Sequence, residues 1–171
     1  EMIHRYFAMA IGVLIIAQTV IAWVARIKRR PLSVSPWWPS ALLALIGVQG
    51  IFGAWTVTMK LQPVIVTTHL LLGLALLGAL GWLAARVTPM PAYDPGAGRY
   101  RTAALVGLIL LVVQIALGGW VSTNYAVLAC TDFPTCNGQW IPPMDFAHGF
   151  HLWRALGMTS DEDAITQDAL V

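Results

Sequence analysis

The chain has 171 residues, of which 58% are hydrophobic and only 11% charged, and its mean hydropathy is +0.71. Water-soluble domains carry about 25% charged residues, so there are too few charges here to coat a water-facing surface, and the sequence reads as an all-α integral membrane protein. The net charge is +2, and no Lys/Arg run interleaved with aromatics offers a surface for nucleic acid.

A hydrocarbon core of roughly 30 Å is crossed by about 20 apolar residues. Four segments meet that length, and the pattern predicts transmembrane helices at 1–25, 38–58, 63–85 and 102–123. Arg26, Lys28, Arg29 and Arg30 stop the first, a Pro31–Pro39 linker precedes the second, and Arg86 stops the third. Of the ten Lys and Arg residues, seven fall in the 26–37 and 86–101 loops. The positive-inside rule puts those loops in the cytoplasm. The chain start, the 59–62 turn and the outer loop and tail at 124–171 then lie on the far side. Trp37, Trp38, Trp55, Trp120 and Trp140 fall near the predicted interfaces, as an aromatic belt would. The sequence opens on Glu1 directly into an apolar run and ends in a polar tail around Ser160–Asp163, so it is expected to be part of a longer protein.

The second and fourth spans share a pattern. Gln49-Gly50-Ile51-Phe52-Gly53-Ala54-Trp55 aligns with Gln114-Ile115-Ala116-Leu117-Gly118-Gly119-Trp120 as Gln-x3-Gly-x-Trp at the outer end of each. Both spans run in the same direction, which suggests a parallel repeat of helix pairs. The glycines are expected to allow close helix packing.

The chain has four histidines: His4, His69, His148 and His151. A polar side chain within a span is costly and is usually there for function. His4 precedes Arg26 by roughly 33 Å and His69 precedes Arg86 by roughly 25 Å, at about 1.5 Å per helical residue. The first and third spans run the same way, so both imidazoles fall towards the outer side. Two imidazoles at similar depth on two helices satisfy bis-His haem ligation; two histidines that merely bond neighbouring helices are the plainer possibility. Arg5 could pair with a haem propionate or snorkel to the interface. Glu1 lies three residues before His4, on the same helical face, where a carboxylate could serve as a catalytic or proton-relay group, or simply fray at the helix end.

Cys130 and Cys136 do not have the spacing of covalent haem attachment or of a zinc ribbon. On the outer, oxidising side a disulfide closing a short loop is expected. A redox-active disulfide, or a zinc site with His148 and His151, are the other possibilities. Phe146, Phe150 and Trp153 suggest a segment lying at the interface, and Met9, Met59 and Met144 suggest packing.

Taken together, Glu1-Met2-Ile3-His4-Arg5 resembles the Glu-x-x-His-Arg motif of the haem A synthases, the COX15/CtaA family. Val66-Thr67-Thr68-His69 resembles that family's paired histidine helix. The run Ala116–Thr123, followed by Leu128–Trp140 with its two cysteines, is similar to the family's fifth span and outer loop. The resemblance implies spans two to five of an eight-span protein, four transmembrane helices within a duplicated four-helix-bundle architecture of two similar halves. It implies oxidation of the C8 methyl of haem O to a formyl group, making haem A for terminal oxidases. It also implies His4 and His69 as ligands of the haem O substrate, Glu1 as a catalytic carboxylate and a Cys130–Cys136 disulfide. A haem b cofactor is expected on histidines outside this sequence, and these residues alone are expected to lack activity. The implied setting is a bacterial inner membrane, with the chain start and 124–171 periplasmic. Membrane lipid, a homo-oligomer, and haem O synthase or terminal oxidase assembly proteins are the implied partners. A bis-His cytochrome b that only carries electrons is the alternative.

Overall fold

In the computed structural model, residues 2–88, 95–124, 126 and 129–153 are described. They form four long helices, α1 (Met2–Ile27), α2 (Trp37–Thr58), α3 (Pro63–Val87) and α4 (Arg101–Thr123), and a single-turn helix α5 (Phe146–Gly149). A 3₁₀ turn at Pro95–Tyr100 leads into α4. No strand occurs among the described residues, where an isolated bridge joins Cys136 to Gln139. All four long helices are long and apolar enough to cross a membrane, and the protein is an all-α, multi-pass membrane protein. The helices run slightly past the apolar segments because Arg26 and Arg86 belong to last turns. A cation there complements the helix dipole and can reach the interface.

Both helix ends before the short connections close in the same way. After α1, Arg29 takes a left-handed conformation (φ 52°), its N–H donating to the Arg26 carbonyl and that of Arg30 to the Ala25 carbonyl. After α2, Lys60 (φ 52°) repeats the pattern, with Lys60 N–H to Val57 and Leu61 N–H to Thr56. These Schellman closures satisfy carbonyls that would otherwise lack partners. Proline opens the next helices, where its missing N–H costs nothing: Pro36 and Pro39 at the start of α2, Pro63 at the start of α3.

The chain divides into two compact units, Glu1–Ile51 with Leu72–Tyr100, and Phe52–Leu71 with Arg101–Val171. In the first, Ile15, Leu42, Leu76 and Leu83 form the buried core, flanked by Leu45, Ile46 and Leu80. Polar links tie α1 to α2. The Thr19 hydroxyl lies 2.8 Å from the Ile15 carbonyl and 3.1 Å from that of Pro39, so one proton is shared between them. The Trp23 indole donates to Ser40 Oγ (3.0 Å), which donates to the Pro36 carbonyl (2.9 Å). Trp23 also meets Trp37 edge-on at 5.4 Å. Trp38 packs on Trp82 at 4.3 Å, and Arg86 sits 4.9 Å over the Trp82 ring. The sequence pattern had marked neither Trp23 nor Trp82.

In the second unit, α4 ends in a dense set of bonds. Thr123 Oγ1 lies 2.8 Å from the Gly119 carbonyl, and Asn124 Nδ2 donates to that of Trp120 (2.8 Å). The Trp120 indole donates to the Gly149 carbonyl (2.9 Å), and its ring stacks on Phe150 at 6.2 Å. Trp120 therefore docks α5 on the end of α4. Between them, Cys130 and Cys136 form a disulfide with Cα atoms 4.7 Å apart. That bond removes the thiolates a zinc site would need. Asn137 (φ 52°) and Gly138 (φ 76°) make a two-residue turn closed by paired bonds between Cys136 and Gln139, the type I′ geometry that Asn-Gly favours. Asp132 organises this loop: it accepts from the Thr135 hydroxyl and, at 3.1 Å, from the Gly138 N–H. His151 Nδ1 donates to the Trp153 carbonyl at 2.6 Å. The expected zinc partner His148 and the expected proton-relay group Glu1 have no described side chain.

Two predictions follow from these units. Ile15→Ala leaves a cavity in the first core and should destabilise the protein by about 2 kcal/mol through lost packing. Leu110, 63% exposed on α4, should give less than about 0.5 kcal/mol when changed to Ala; reversible unfolding in mixed micelles measures both. Separately, the Thr135 hydroxyl, followed by the Gly138 and Asn137 N–H groups, holds the Asp132 carboxyl below its ordinary value of 3.8. A lowered folded value means the loop is favoured while Asp132 is ionised, and the contribution is lost as pH falls through 3.8 towards the folded value. Hydrogen-exchange protection of the Gly138 amide should be level at neutral pH and fall in that acid range. Asp132→Asn should abolish the dependence.

Candidate functional site

The site is built on the first two turns of α3. Gln62, buried before Pro63, accepts the first helical bond from Val66 N–H at 3.0 Å. This start sets the register that follows. His69 is half-buried and lies against Gly53 of α2. A Cβ on Gly53 would stand 3.2 Å from His69 Cε1, 3.8 Å from Nε2 and 3.9 Å from Nδ1. The imidazole thus fills the space of the missing side chain, and any larger residue at 53 must push it away. The same reciprocity occurs one turn further along α3: a Cβ on Gly73 would stand 2.8 Å from the Gln49 side-chain nitrogen. On α2, Gln49 and Gly53 are themselves four residues apart and share a face. Large therefore meets small at both levels, each glycine accepting the polar side chain of the other helix.

Beside His69 lies an open pocket of about 460 Å³. Val66, Thr67 and Leu70 of α3 line one wall, and Gly118, Gly119, Ser122 and Thr123 of α4 the other. Gly119 lets the helices approach, since a Cβ there would meet Leu70 Cδ2 at 3.0 Å and Thr67 Cγ2 at 3.5 Å. The pocket is mostly apolar, with one imidazole and a few hydroxyls, the make-up of a small-molecule or cofactor site.

His4 and Arg5 lie in the first turns of α1, exposed, and belong to the first unit; His69 belongs to the second. Their pairing on one ligand is part of the proposal below. Glu1 lies outside the described residues. No cluster of three or more His, Cys, Asp or Glu able to hold a bare metal ion occurs among the described residues. Sequence reasoning singled out His69 but missed Gly53, Thr67 and Gly118 as its surroundings. The Gln-x3-Gly-x-Trp repeat was the available signal. It marked Gly53 and Gly118 as equivalent, without showing that an imidazole rests on the first.

The COX15-CtaA family model, described as a cytochrome oxidase assembly protein, matches residues 1–160. The chain is 41% identical over 152 residues to the heme A synthase of Shewanella oneidensis, covering 88% of this chain and 44% of that protein. It is 33% identical over 165 residues to the heme A synthase of Sphingopyxis alaskensis, covering 91% and 45% respectively. To that of Shouchella clausii it is 32% identical over 152 residues, covering 83% and 48%. No solved structure matches the chain. The chain spans about half the length of these curated relatives. With four apolar helices, a histidine seated on a glycine and a family match over residues 1–160, this chain belongs to the COX15-CtaA family.

Proposed function

We propose that the protein is a haem A synthase, oxidising the C8 methyl of haem O to a formyl group in the assembly of terminal oxidases. The relatives named heme A synthase support that activity. The observation that carries it to a site is the His69 imidazole, seated on Gly53 and bordering an apolar pocket. The Gly53 contact limits the orientation of the imidazole, which would be available to hold the haem iron. The residues therefore fit the group. His69 and His4 would hold the haem O iron, and Arg5 would pair with a propionate. Glu1, three residues before His4 in the sequence, would hold or move a proton beside the bound ring. When bound, iron supplies the redox chemistry. The chain's own residues bind, orient and exclude water. A haem b cofactor would be held by residues outside this sequence.

The proposed setting is a bacterial inner membrane. The seven cations of the 26–37 and 86–101 loops face the cytoplasm, and the haem pair and the Cys130–Cys136 loop face the periplasm. An oxidising periplasm is consistent with a structural disulfide. Haem O and membrane lipid are the proposed partners, with a homo-oligomer and oxidase assembly proteins following from the family. A bis-His electron carrier would need the same histidines, but the relatives' names favour the synthase.

In the whole protein, His4→Ala and His69→Ala should each remove a low-spin haem from the visible spectrum and leave haem O unconverted on extraction. Gly53→Leu, which touches no ligand, should do the same by displacing the His69 ring. Gly53→Ala, which asks for a shift of a few tenths of an ångström, should keep the haem with an altered spectrum. A spectrum unchanged by both histidine substitutions would contradict the assignment.

A further inference from the structure

Gly118 and Gly119 are neighbours, yet they are glycine for different reasons. At Gly119 a Cβ would press on Leu70 and Thr67, so packing accounts for it. At Gly118 a Cβ would meet nothing within 4 Å, although the residue lines the pocket beside His69. Packing within the second unit gives no reason for the missing side chain. In the repeat, Gly118 holds the position of Gly53, and there the missing side chain makes room for a flat ring. A second observation points the same way. Thr67 is 8% exposed and lines the same pocket, and its hydroxyl has no hydrogen-bond partner among the described residues. A buried hydroxyl left unpaired is disfavoured, so this one is suited to a polar group on a bound molecule. The pocket's volume, about 460 Å³, falls within the range of roughly 300–1,000 Å³ typical of small-molecule sites.

We infer that the α3–α4 pocket receives part of the macrocycle ligated by His69, with Gly118 the clearance residue that admits the ring and Thr67 a hydrogen-bonding contact for a polar substituent. This rests on the proposal that His69 is a haem ligand. The ligand class is an iron porphyrin: flat and apolar on its faces, with few polar groups at its rim. A Cβ at 118 would narrow the pocket, and a branched side chain would occupy it, without disturbing the contacts made by Gly119.

The test uses thiol protection in the whole protein. Cys130 and Cys136 are joined in a disulfide, so neither competes for a maleimide. Gly118→Cys is labelled with a membrane-permeant maleimide, with and without bound hemin, and the labelled peptide is identified by mass spectrometry. Gly107→Cys is the control, since Gly107 also has open space around it but does not line this pocket. Hemin should slow labelling of Gly118→Cys severalfold, leave Gly107→Cys unchanged, and lose its effect when His69→Ala is added. Gly118→Leu should lower hemin retention, with Gly107→Leu as the folding control. If His69→Ala removes one of the bound hemins but Gly118→Cys reacts equally fast with and without hemin, the pocket faces lipid or another part of the protein, and this inference is overturned while the haem reading stands. If His69→Ala leaves hemin binding and its spectrum intact, the haem reading itself fails.

Discussion

Gly53 has no side chain, and the His69 imidazole occupies the space one would take. Much of the candidate site depends on that contact. A histidine on a membrane helix can swing towards a neighbouring carbonyl, towards lipid or towards a ligand. A glycine at contact distance on one side restricts the ring's freedom before anything binds, and lost freedom is what a ligand would otherwise have to impose. The Gln49–Gly73 contact applies the same rule one turn away. Between lipid-embedded helices there is no hydrophobic gain from burial, so close approach through small residues supplies the attraction. Here the small residues also position the two polar side chains.

The remaining polar groups follow from the same solvent. Thr19, Ser40 and Thr123 each place a hydroxyl on a helix carbonyl. The ends of α1 and α2 are closed by Schellman bonds using Arg29 and Lys60, residues that pay some strain for a left-handed backbone but put a cation where the helix dipole favours one. Trp120 ties the α5 segment to α4, and Asp132 ties the disulfide loop to itself. Thr67 departs from the pattern of satisfied hydroxyls, which is why its place beside the pocket carries weight.

Much of the fold was legible because a membrane span has a strong signature: length, apolarity and flanking cations together leave few alternatives for α1 to α4. The helix ends were less legible, since Arg26 and Arg86 look like stops but are last-turn residues. His69 was legible as a costly polar group in an apolar run. Its environment was not, because contact between Gly53 and His69 depends on the rotation of α2 against α3, which apolarity barely encodes when every face of a helix is apolar. The repeat came nearest, marking Gly53 and Gly118 together; the geometry then separates them, one filled by an imidazole and one open. The loop of 130–140 was legible in its disulfide, while the Asp132 network was hidden, since Thr131, Asp132 and Thr135 read singly as ordinary loop residues.

The most direct measurement is a high-resolution map of the whole protein with haem O bound, showing what stands next to the iron. The account predicts the His69 imidazole within bonding distance of iron, the ring still resting on Gly53, and His4 as the second residue holding the iron. Iron held by other residues, with His69 turned towards lipid or a helix carbonyl, would contradict it.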